Sequence, residues 1–95
     1  MRVVSLKKLR TFYQAHPESK NTLLAWYKVI RESEFADSNE LKRALPQVDF
    51  VKPLHVFNIG RAYRLLAAIH FNRQMVFVRH VLTHAEYDRG KWKVK

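Results

Sequence analysis

The hydrophobic pattern changes period at Pro46, and that change does most to restrict the folds open to this chain. Before it, apolar residues recur at helical spacing. Leu6, Leu9, Phe12 and Tyr13 mark a helix from Leu6 to His16, with Ser5 as N-cap and Pro17 as its stop. Pro17 also suits the first turn of a second helix reaching about Ser33, in which Leu23, Trp26, Tyr27 and Ile30 form an apolar stripe. Asp37 stands three residues before Glu40, a capping-box-like spacing, and opens a short helix through Lys42 and Leu45 that Pro46 ends. Beyond Pro46 the chain is rich in Val, Ile, Phe and Tyr as far as Leu82. Turn signals at Gly60-Arg61 and Asn72-Arg73 divide this part into three strands joined by hairpins. With the short apolar start Arg2-Val3-Val4, the expectation is an α+β fold. An N-terminal helical hairpin packs on one face of a small antiparallel sheet.

The 95 residues suffice for one domain, 1–95, in which Arg89 to Lys95 is a short basic tail. Hydrophobic residues make up 47% and aromatics 13%, the composition of a folded globule. Absence of cysteine excludes disulfides, thiolate metal sites and cysteine nucleophiles, and fits a reducing cytoplasm. There is no apolar run of the roughly 20 residues a membrane span needs and no signal-peptide core, so a cytoplasmic protein without a membrane partner is expected. Eighteen Lys and Arg oppose eight Asp and Glu, a net charge of +10 spread along the chain. Such an excess attracts a polyanion: nucleic acid, a ribosome surface or an acidic protein. Trp26 and Tyr27 read as core, whereas Trp92, between Lys91 and Lys93, is a candidate stacking surface or part of an unpacked tail.

Strand parity assigns faces. Closing the first hairpin with Ile59 opposite Ala62 and the second with Phe71 opposite Gln74 puts Leu66 opposite Arg79 and Arg64 opposite Val81. His55, Arg64 and Arg79 then share one open face. The other, with Val56, Tyr63, Leu65, Val78 and Leu82 among its members, is apolar and awaits the helices. Arginines fork onto phosphate oxygens and keep their charge, so proton transfer falls to His and Tyr. After the last strand come His84, Tyr87 and Asp88; if Thr83 caps a final turn, His84 and Asp88 lie on one side of it. Asp88 then orients His84, or the pair merely pins the strand end. His80 and His84 have the i, i+4 spacing of a helical metal pair, but His80 reads as strand, and no metal site or cofactor is expected.

The segments His55-Val56-Phe57-Asn58-Ile59-Gly60, Tyr63-Arg64-Leu65, Phe77-Val78-Arg79 and Thr83-His84-Ala85-Glu86-Tyr87-Asp88 closely resemble the HigB-type toxins of bacterial toxin-antitoxin systems. These are mRNA interferases related to RelE. The resemblance covers about Leu6 to Asp88 and implies a RelE-like fold. It further implies metal-independent cleavage of mRNA on the ribosome, by attack of a ribose 2′-hydroxyl on the adjacent phosphate. That reaction needs a base, a cationic cradle and an acid for the leaving 5′-oxygen. Arg64 and Arg79 match the arginines of the family's open face; Tyr87 and His84 match its C-terminal polar cluster. Lys52 and His55 lie near its basic residues before the second sheet strand. Arg61, Arg73, Lys91, Trp92 and Lys93 add expected RNA contacts. The implied partners are mRNA, the ribosome and a cognate helix-turn-helix antitoxin of the HigA type. The competing reading is a non-catalytic RNA- or ribosome-binding module, which needs the cations but gives no reason for His84, Tyr87 and Asp88 to cluster.

Overall fold

The computed structural model describes residues 1–93; Val94 and Lys95, the end of the expected tail, lie outside the described residues. Strand β1 (Arg2–Val4) leads into α1 (Leu6–Ala15), and a 3₁₀ turn at Pro17–Ser19 passes the chain to α2 (Lys20–Arg31). Next come α3 (Ser38–Ala44), β2 (Asp49–Val51), β3 (Leu54–Ile59), β4 (Tyr63–His70), β5 (Met75–Thr83) and α4 (His84–Arg89). The strands form one sheet in the order β1-β5-β4-β3-β2.

The helices stand close to their expected limits because their punctuation is local. Asp37 caps α3 by accepting the Glu40 N–H, and the Glu40 carboxylate accepts the Ala36 N–H. Ser5 does not act as a side-chain cap: it sits in the left-handed region at φ 76°, turning the chain from β1 into α1. The helical stripes deliver Leu9, Leu23, Trp26 and Ile30 onto Phe57, Leu65, Ala67, Val76 and Val78 to form the main core. At its edge the Tyr63 hydroxyl donates to the Glu18 carboxylate, which raises the Tyr63 pKa and lowers that of Glu18.

The sheet is mixed rather than wholly antiparallel. β1 pairs with β5 in parallel, Val3 beside Val76, and β2 adds an edge strand to the expected meander. Both expected registers need correction. The first hairpin closes with Ile59 opposite Tyr63, one residue beyond the expected pair, because its loop is the three residues Gly60, Arg61 and Ala62; Gly60 at φ 62° makes the turn. The second starts in the expected register, His70 opposite Met75, but a bulge between Leu66 and Ala67 leaves Arg79 unpaired and sets Leu66 opposite His80.

A one-residue slip turns every side chain of a strand over. His55 therefore faces the helices and not the arginines, and Val56 and Leu82 face away from the helices and not toward them. His55 is buried between the rings of Phe50 and Phe71, with Nε2 3.0 Å from the Ser38 hydroxyl and Nδ1 without a partner. Burial holds its pKa below the ordinary 6.5. Between the two values the unfolded chain binds the extra proton, so stability falls as pH drops below 6.5. The urea midpoint is expected to fall between about pH 7 and 5, with a slope of at most about 1.4 kcal/mol per pH unit from this group, and His55→Phe is expected to make that fall shallower. An identical slope in the variant refutes the assignment.

Candidate functional site

The face turned away from the main core holds a second, smaller apolar cluster of Leu54, Val56 and Leu66. It is not an open arginine surface as parity alone suggests; the C-terminal segment covers part of it. Thr83, the last residue of β5, caps α4 by accepting the Glu86 N–H, while the Glu86 carboxylate accepts the Thr83 N–H at 2.9 Å. That backbone bond is the main reason the Glu86 pKa is lowered. The His84 N–H donates to the Ala62 carbonyl at 2.7 Å, tying the start of α4 to the β3–β4 turn. Gly90, at φ 72°, then reverses the chain. Trp92 folds back to stack on Tyr87 at 5.2 Å, and its indole N–H donates to the Tyr87 carbonyl at 3.0 Å. Both rings pack on the Leu54, Val56 and Leu66 cluster. The structure thus uses Trp92 as a cover for the sheet, with one ring face already taken by Tyr87.

Arg64 emerges on this face because its neighbours Tyr63 and Leu65 both point into the main core. Its Nη1 donates to the Tyr63 carbonyl at 2.9 Å, and the guanidinium lies 6.0 Å from the Tyr87 ring centre. Arg79, the bulged residue, places its guanidinium 5.6 Å from the Phe77 ring, and its carbonyl accepts a bond from Lys8. Among the described residues neither arginine pairs with a carboxylate; the ion pairs there are Arg31–Glu32 and His84–Asp88. Both guanidinium charges are available to an anion.

His84 and Asp88 do lie on one side of α4, with His84 Nδ1 3.6 Å from the Asp88 carboxylate. That is longer than a hydrogen bond, and both side chains are more than half exposed, so the contact is solvent-screened. Lys52 and Lys93 border a cleft of about 450 Å³ together with Arg79 and Trp92. Lys91 borders a neighbouring cleft with Arg89 and Trp92, and Arg61 sits in the turn whose carbonyl Arg64 contacts. Arg73 lies in the β4–β5 turn, at the other end of the sheet from Arg64 and α4. His55 is on the covered face, as described above.

One basic residue of this face escaped the sequence argument. His80 pairs opposite Leu66 and is half-buried among Lys8, Arg79 and Trp92. Strict alternation through β5 hides it, since only the Arg79 bulge turns it away from the helices. Burial first, then the charges of Lys8 and Arg79, hold its pKa below the ordinary value.

The fold and this face define a class: an α+β protein with a mixed sheet, offering two guanidinium groups on one face, of which that of Arg64 lies beside Tyr87 of a C-terminal helix that also carries His84 and Asp88. Residues 19–90 match the family model of HigB_toxin, the RelE-like toxic component of a toxin-antitoxin system, and the chain belongs to that family. It is 33% identical over 92 residues to the mRNA interferase toxin HigB of Escherichia coli K12, covering 93% of this chain and 88% of that protein. The same identity and coverage hold for the mRNA interferase HigB of Shigella flexneri. The mRNA interferase HigB of Escherichia coli O6:H1 is 30% identical over 93 residues, covering 94% and 90%.

Proposed function

We propose that this chain is an endoribonuclease toxin that cleaves mRNA and is neutralised by a cognate antitoxin. The observation that carries the reading is the pair Arg64 and Arg79 on one sheet face, without a carboxylate partner among the described residues and with Arg64 beside Tyr87, in a chain whose relatives are mRNA interferases. In this reading the ribose 2′-hydroxyl attacks the adjacent phosphate, and the two guanidinium groups stabilise the charge gathering on the phosphorane. Tyr87 orients the phosphate or a base, and His84, at the exposed start of α4, delivers a proton to the departing 5′-oxygen. Lys52, Arg61, Lys91 and Lys93 hold flanking phosphates. The reaction needs no metal, because the arginines supply the positive charge. The site acts on mRNA held by the ribosome, and the antitoxin is a helix-turn-helix protein.

The test is induced expression with and without the antitoxin, followed by mapping of mRNA 5′ ends. New ends within coding regions that vanish on antitoxin co-expression are the expected result, and in vitro cleavage is expected to persist in EDTA. Growth arrest with intact mRNA refutes the nuclease reading in favour of plain ribosome binding.

A further inference from the structure

We infer that His80 is the general base that takes the proton from the attacking 2′-hydroxyl, an assignment that rests on the mRNA-cleavage reading. Because Leu66 pairs with His80 and Arg64 with Leu82, His80 and Arg64 are diagonal neighbours on one face, about 7–8 Å apart along the sheet. Arg79 immediately precedes it in the bulge. Along the sheet His80 therefore lies between the row of Arg64 and that of Phe77, over which the Arg79 guanidinium sits. It borders the cleft of about 450 Å³ that holds Lys52 and Trp92, and also that of about 570 Å³ between α1 and β5. A nucleotide reaches it from either side.

A base must be neutral when substrate arrives, and the surroundings enforce this. Facing His80 are Lys8 from α1, Arg79 in its own strand, Lys52 at the β2–β3 turn and Arg89 with Lys91 at the end of α4. Among the described residues Glu86 is the one acid bordering that end, and its carboxylate is engaged by the Thr83 N–H. Burial first, then the charges of Lys8 and Arg79, disfavour the imidazolium. Once substrate phosphate lies between Arg64 and Arg79, its negative charge makes the imidazole a better proton acceptor. The free ring nitrogen removes the 2′-hydroxyl proton as the 2′-oxygen bonds to phosphorus. The bond from phosphorus to the 5′-oxygen breaks, and that oxygen takes its proton from His84. The products are a 2′,3′-cyclic phosphate and a 5′-hydroxyl end, and His80 returns its proton to solvent. His84, exposed at the start of α4, is placed for the acid; His80, held in the sheet, is placed for the base.

The experiment measures single-turnover cleavage of mRNA in a purified translation reaction against pH, alongside binding of an RNA blocked by a 2′-deoxy substitution. Wild-type cleavage is expected to rise with pH along an acid limb as His80 gives up its proton. His80→Gln is expected to cleave about 10²-fold more slowly, without that acid limb, while its affinity for the blocked RNA changes less than about threefold. His80→Asn serves as a second variant, and unfolding midpoints establish that both are folded. Wild-type rates and a wild-type pH profile in either folded variant overturn the assignment and leave the nuclease reading standing. A wild-type rate that is flat from about pH 5 to 8 also overturns it, whatever the variants do. A wild-type protein that binds RNA but never cleaves it overturns the nuclease reading, and the assignment falls with it.

Discussion

Replacing Arg64 with alanine is expected to slow mRNA cleavage by about 10²- to 10³-fold while leaving the unfolding midpoint close to that of the wild type. The rate effect follows from position. Arg64 lies on the face away from the helices and, among the described residues, makes backbone contacts only through Nη1 and has no carboxylate partner. Its remaining donors are free to fork onto phosphate oxygens, where the charge of the transition state collects. The small stability effect follows from the same facts, since among the described residues the side chain holds no ion pair and belongs to neither apolar cluster. Arg79→Ala is expected to act in the same direction, and Arg64→Lys to remain well below wild type because a point charge cannot reproduce the fork. Binding to a 2′-deoxy-blocked single strand adds an independent readout. Each arginine that contacts a phosphate contributes about 0.7 to the slope of log affinity against log salt, so each alanine variant is expected to lose about that much. Cleavage within tenfold of wild type in both variants, at equal folded protein, rules out the guanidinium cradle.

The helices were readable because their signals lie within a turn or two of what they determine. Asp37 and Glu40 mark α3 from three residues apart, and Thr83 and Glu86 do the same for α4. The expected turn at Asn72-Arg73 also holds, since Phe71 to Gln74 form the connection. What the sequence hides is whatever depends on register or on distant partners. The parallel pairing of β1 with β5 joins residues more than 70 positions apart, and no local pattern encodes it. The three-residue Gly60-Arg61-Ala62 loop and the Arg79 bulge each shift parity by one, and each reassigns a histidine. His55 passes from the arginine face to the buried one, and His80 makes the opposite move. The two arginines kept their common face for different reasons. Arg64 keeps it because β4 itself was placed correctly; Arg79 stays on that side through the bulge, its guanidinium over Phe77. The motif Thr83 to Asp88 was legible as a capped turn, but nothing in it foretold that Trp92 would return across the sheet to stack on Tyr87.

That return gives two adjacent leucines different consequences, and the pair tests how far the site depends on the small cluster. Leu65 and Leu66 are both fully buried, but Leu65 points into the main core and Leu66 into the cluster under Tyr87 and Trp92. Leu65→Ala removes contacts enclosed by both helices and sheet, where little can collapse to fill the space, and is expected to cost about 3–5 kcal/mol. Leu66→Ala opens its cavity beneath a thin cover that can settle inward, so a cost of about 2–3 kcal/mol is expected. Settling moves Tyr87, and with it the aromatic partner of Arg64. Cleavage per folded molecule is therefore expected to fall by tenfold or more in Leu66→Ala, as small misplacements of catalytic groups cost about that much or more. In Leu65→Ala it is expected to hold near the wild-type value below the lowered melting temperature. Chemical denaturation with parallel rate measurements at about 15 °C separates the two effects. Equal rates in both variants would mean that Tyr87 and Trp92 only shield the sheet from water, and that the site ends at the two arginines and His80.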